Sequence, residues 1–152
     1  MKNKKKIAIV LIAIVLIILF VNTAHIHHEK QWLQKNIDHI FTWHFSQLNF
    51  NQMVIALHPD MSEEERSYYE GEVTKAGYII SQLFASTSYR ESIGLNVVVG
   101  LLDQATGTDA INELHMTKEL NDLLNELHTQ HFSDEQKISE TLEILKKSII
   151  EK

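Results

Sequence analysis

Cysteine is absent from this chain, proline occurs once and glycine five times in 152 residues. Without cysteine there can be no disulfide, no thiolate nucleophile and no zinc–thiolate centre. A lipid attached through an N-terminal cysteine is excluded on the same ground. An exported domain of this composition must hold together by packing alone. So few helix breakers favour helices over a turn-rich β fold.

Catalytic motifs are missing as well. There is no phosphate-binding Gly-Lys-Ser/Thr loop and no Gly-x-Ser-x-Gly elbow. His28-Glu29-Lys30-Gln31-Trp32 begins like a zinc-protease helix but has Trp32 where the second histidine is needed. A bundle di-iron site needs glutamate and histidine three apart, whereas Glu113/His115 and Glu126/His128 are two apart. The expectation is therefore a non-enzymatic protein with no cofactor.

What is present begins at the N-terminus. Lys2, Lys4, Lys5 and Lys6 precede an unbroken apolar run from Ile7 to Val21, followed by Asn22-Thr23-Ala24. Basic residues before an apolar segment remain on the cytoplasmic side, so the rest of the chain is expected outside. Fifteen apolar residues make about 22 Å of helix, or about 27 Å through Ala24, against a hydrocarbon core of about 30 Å. Snorkelling lysines can cover the difference. Cleavage after Ala24 would place Asn22 where a small residue is wanted. The reading is an uncleaved anchor over 1–24 and an extracytoplasmic helical domain over 25–152, with a secreted protein after signal cleavage as the alternative.

Charge divides at the same point. Four of the fourteen basic residues lie in the first six positions, leaving ten against twenty acidic residues, a net of −10 with histidines neutral. Such a domain is repelled by nucleic acid, so no nucleic-acid partner is expected.

Beyond the anchor, periodicity predicts an all-α fold, a four- or five-helix bundle. Leu33, Ile37, Ile40, Phe41, His44 and Leu48 form one stripe; Phe50, Met53, Val54 and Leu57 form a second, with a kink or break expected at Asn49 and Asn51. His58-Pro59-Asp60 ends that helix. Ser62 and Glu65 form a capping box ahead of Tyr69, Val73, Ala76, Ile80 and Leu83. Ser88 and Glu91 repeat the pattern before Ile93–Leu102, read as the buried centre of the bundle, with a strand as runner-up. Gly107 is expected to close that helix, and Thr108 or Asp109 to open another carrying Ile111, Leu114, Met116, Leu120, Leu123 and Leu127, either broken near Thr117 or covered on two faces. A last helix from Ser133-Asp134 carries Ile138, Leu142, Leu145 and Ile149.

Nine histidines are the one unusual store of reactive groups. His25, His27 and His28 cluster just after the anchor, where a flexible tract can bind a transition metal or titrate near neutral pH. His128 and His131 share a helix face and need further ligands, such as His115 or Glu126, to make a site. His44 reads as a core histidine, and Trp32 as either a headgroup-level or a packing residue.

The reading as a whole is a bacterial, single-pass cell-membrane protein with its helical domain outside. Its expected role is binding or blocking an envelope protein, as an immunity or exclusion factor or an accessory subunit. A histidine-based metal or pH sensor is the alternative.

Overall fold

The computed structural model describes residues 2–106, 112–129 and 132–151. Their elements are α1 (Lys2–Leu57), α2 (Glu63–Phe84), α3 (Ile93–Thr106), β1 (Asn112–Leu114), α4 (Lys118–Thr129), α5 (Glu135–Ser148) and β2 (Ile149–Glu151). The helical expectation is met, with a two-stranded ribbon added.

The chain divides into two compact units, Met1–Asn36 and Ile37–Lys152. The first is the earlier part of α1. Ile14 to Val21 are all exposed there, from 47% at Ile14 to 76% at Phe20. Among the described residues no helix is long and apolar enough to cross a membrane. Residues 1–13 of the expected anchor lie outside those whose side chains are described.

In the second unit α1 contributes Phe41, Phe45 and Leu48 to the core, all at most 1% exposed. Phe41 sits 6.1 Å from Phe84 of α2 and 5.3 Å, edge-on, from Phe132 before α5. Phe45 meets the same Phe132 ring at 4.9 Å. These tilted and T-shaped contacts bring ring edges onto ring faces, the favoured aromatic geometry. The expected stripe was right at Phe41 and Leu48 but missed Phe45, while Leu33 and Ile40 are exposed.

The break considered at Asn49 and Asn51 does not form, since α1 is helical to Leu57. Asparagine bends a helix when it bonds its own backbone. Asn49 instead reaches α4: its Nδ2 donates to Asn125 Oδ1 at 3.0 Å and to the Asn121 carbonyl at 3.4 Å. A residue read as a breaker is a tie between helices.

Helix α2 starts as expected, with Ser62 Oγ accepting from Glu65 N and the Glu65 carboxylate accepting from Ser62 N. Val73, Ala76 and Ile80 are buried on one face together with Gly77. Helix α3 is a helix, not a strand, but it starts at Ser92, whose Oγ accepts from Leu95 N. Ser88 is used elsewhere, its N–H donating to Asp38 Oδ1 at 2.8 Å, which binds the α2–α3 loop to α1. Nor is α3 buried all round. Leu95, Val98, Val99 and Leu102 face inward, while Ile93 is 82% exposed.

Gly107, Thr108, Asp109 and Ile111 lie outside the described residues. Leu114, expected in a helix, is in β1, which pairs antiparallel with β2 in the register Asn112↔Glu151, Glu113↔Ile150, Leu114↔Ile149. Ile149 therefore leaves the helix as its extended C-cap. Two adjacent β-branched residues suit a strand, and a partner more than thirty residues away completes it. The break near Thr117 is real, with Thr117 Oγ1 accepting from Leu120 N at the head of α4. Leu120, Leu124 and Leu127 line the inner face of α4, Leu124 replacing the expected Leu123. Asp134 caps α5 through Gln136 N and Lys137 N.

Candidate functional site

The histidines after the expected anchor are not on a flexible tract; they lie on α1. His25 Nε2 is 3.2 Å from Glu29 Oε1, and His27 Nε2 is 2.9 Å from Gln31 Nε2, both one turn along the helix. His28 is exposed. His128 is half-buried on α4, and His131 lies outside the described residues. Glu126, a suggested third ligand, instead pairs with Lys137 Nζ at 2.7 Å, and His115 is exposed beside β1. Among the described residues no three metal-ligating side chains converge.

The corner between α1 and α2 encloses an open depression of about 360 Å³, lined by Val54, His58, Asp60, Met61, Glu65 and Tyr69. Pro59 creates the corner by stopping α1, and its carbonyl accepts from Arg66 Nη2 at 3.3 Å. The Glu65 carboxylate accepts from Ser62 Oγ at 2.7 Å and Ser62 N at 3.0 Å. Those bonds hold its pKa below the usual carboxylate range. Glu65 is thus committed to capping, and Asp60 is the other carboxylate lining the depression.

A smaller cleft between α1 and α2 holds Trp43, His44, Gln47, Glu72, Lys75 and Ala76. The His44 ring stands edge-on to Trp43 at 4.6 Å. Burial lowers its pKa, the Lys75 ammonium lowers it further, and Glu72 opposes them. His44 was expected in the core; it is half-buried at the edge.

The broadest unusual feature is apolar surface. On α1 within the second unit, Ile40, Trp43, Phe50 and Leu57 are 44–62% exposed. Phe50 and Leu57 belonged to the second expected core stripe, so that part of the pattern faces outward. On α3 the exposed pair is Ile93 and Val97, beside Gly100, around whose Cα there is open space. Trp32 is also exposed, and Tyr68 is exposed beside Tyr69, which is half-buried where the α2 stripe predicted burial. Periodicity had signalled apolar residues at each position. It could not say which of two apolar faces would find a partner inside the fold.

No protein-family model matches the chain, and no match was found among characterised proteins or solved structures.

Proposed function

We propose that this chain is a membrane-tethered, extracytoplasmic helical interaction protein that binds or blocks another protein of the cell envelope without catalysing a reaction. The observation that carries the reading is the N-terminal order of four lysines and then Ile7–Val21. The described half of that run, Ile14 to Val21, is exposed on every side of the helix. Apolar side chains all round a helix need an apolar surrounding, and lipid supplies one.

The anchor is residues 1–24, crossing once, with 25–152 outside. The net charge of −10 after the lysines disfavours nucleic acid and anionic headgroups as partners for the domain. Exposed Ile93 and Val97 on α3 supply a contact surface for an envelope protein. Interaction is preferred to catalysis because the sequence carries no catalytic motif, and Glu65 in the depression between α1 and α2 serves a helix cap.

Alkaline extraction of membranes, with protease treatment of intact cells, tests the tether. The expected result is a chain that resists extraction, starts at Met1 by mass and is digested from outside. A soluble chain, or one protected from protease, sinks the tethered reading. Crosslinking in membranes followed by mass spectrometry then tests the partner. Recovery of the chain with no other envelope protein, at any crosslinker length, counts against binding or blocking.

A further inference from the structure

Ile40, Trp43, Gln47, Phe50, Val54 and Leu57 follow one another at spacings of three and four. This is a heptad seam lying along α1 within the second unit. At about 100° per residue, Phe41, Phe45 and Leu48 face the chain's own core, and Trp43 and Phe50 lie on the opposite side. Isolated exposed apolar side chains are ordinary on proteins. A regular seam ending in Phe50 at 60% and Leu57 at 62% exposure is not isolated.

We propose that two copies of this chain pair in parallel and in register through this outer face of α1. Three observations favour a second copy over another occupant. First, residues repeating every seven drift by about 20° per heptad on a straight helix, so such a seam stays in line only against a second helix around which it supercoils. In the sequence the same register continues upstream at Leu33 and Ile26, both exposed.

Second, Gln47, half-buried at the edge of the α1–α2 cleft, interrupts the apolar seam. Its amide carries both donors and an acceptor, so it is satisfied by its own copy at the same level and stranded opposite an apolar residue in any other register. Third, no Asp, Glu, Lys or Arg occurs from His39 to Leu57. Fixed like charges, which two identical helices would bring together, are therefore missing from this stretch of α1, and the charges beside it, Lys75 and Glu72 of α2, are of opposite sign and 3.6 Å apart.

Exposed side chains of this kind each present on the order of 100 Å², so Ile40, Trp43, Phe50 and Leu57 bury roughly 800 Å² in total across two copies, the size of a small interface, with half-buried Gln47 and Val54 adding at its margin. The pairing rests on the tethered reading for its direction only, since two anchors in one membrane place the helices parallel.

A chain with no cysteine is a clean background for the test. Single Ile40→Cys, Gln47→Cys and Ser67→Cys variants of the full chain are oxidised in membranes and in whatever fraction is soluble. Ile40→Cys and Gln47→Cys are expected to give a disulfide-linked species of twice the chain mass, and Ser67→Cys, on exposed α2 surface, at least tenfold less. Adding Phe50→Glu to Gln47→Cys is expected to lower the dimer at least tenfold while the melting temperature of the fold is kept.

Equal yields at all three positions, or none at the seam, overturn the proposal. So does crosslinking only in an Ile40→Cys/Leu57→Cys mixture, which marks an antiparallel pair, or a linked species of another mass. The two readings fail separately: seam crosslinks in a soluble chain keep the pair without the tether, and an extraction-resistant chain without them keeps the tether alone.

Discussion

At the scale of single residues, two glycines that look equivalent in the sequence are not. Gly71 and Gly77 both lie in α2, and propensity alone gives each the same cost of about 1 kcal/mol relative to alanine. A methyl group at Gly71 meets nothing within 4 Å, whereas at Gly77 it lies 2.5 Å from Thr106 Oγ1 of α3. Thr106 cannot turn aside freely, because its hydroxyl donates to the Leu102 carbonyl at 2.7 Å. Gly77→Ala is therefore expected to destabilise by about 1–3 kcal/mol, the range for overpacking. Gly71→Ala is expected to stabilise by about 0.4–1 kcal/mol. Urea unfolding of both variants checks the pair, and equal effects would mean that α2 and α3 do not approach closely at Gly77.

His44 sets a pH dependence at the same scale. Its folded pKa lies below the ordinary 6.5, through burial and then Lys75, with Glu72 opposing. Between the two values the unfolded chain binds a proton that the folded chain does not. Stability should therefore fall as pH drops below 6.5, until folded His44 also takes up its proton. Melting temperatures from pH 7.5 to 5, with wild type set against His44→Gln, read this out. The substitution should flatten the slope in that window. An unchanged slope would assign the dependence to other groups.

At the scale of elements, what was legible in the sequence was local. Pro59 ended α1, Ser62 with Glu65 began α2 and Asp134 began α5, because each signal acts within one turn of the backbone. Ser88 misled for a complementary reason. Its spacing to Glu91 matched a capping box, but Asp38, fifty residues away, takes its N–H. The β1–β2 ribbon was illegible because neither three-residue strand has a pattern of its own, and pairing across distant sequence defines both. Asn49 belongs to the same class: its partners on α4 are more than seventy residues off.

The candidate surface divides likewise. Apolar spacing marked Phe50, Leu57 and Ile93 as notable, but only tertiary packing decides that they face outward. Removing the best local signal gives a bounded outcome. Ser62→Ala is expected to cost about 0.5–2 kcal/mol, typically near 1. It should also release Glu65, whose lowered pKa should rise toward the ordinary carboxylate value. Denaturant unfolding and carboxylate titration by NMR measure the two effects. Loss of stability with no change at Glu65 would contradict the reciprocal box.

At the scale of the whole molecule, the asymmetry of charge is the feature that every other inference about location depends on. Orientation follows basic residues near the end of an apolar segment, and acidic residues contribute little. On the proposed tether the ten-against-twenty balance after residue 6 does not set orientation, and Lys2, Lys4, Lys5 and Lys6 are its expected determinant. Replacing all four by glutamine leaves Ile7–Val21 intact, so affinity for the bilayer should largely persist while its direction is lost. Lysine snorkelling also extends a short apolar run toward the headgroups, so some of the variant should become extractable. The expected result is a mixed population, with protease on intact cells digesting only part of the chain and an alkaline-soluble fraction appearing. Complete digestion, as expected of the wild type, would detach orientation from the lysines. It would leave the apolar run, or a partner that captures the domain outside, as what directs the chain.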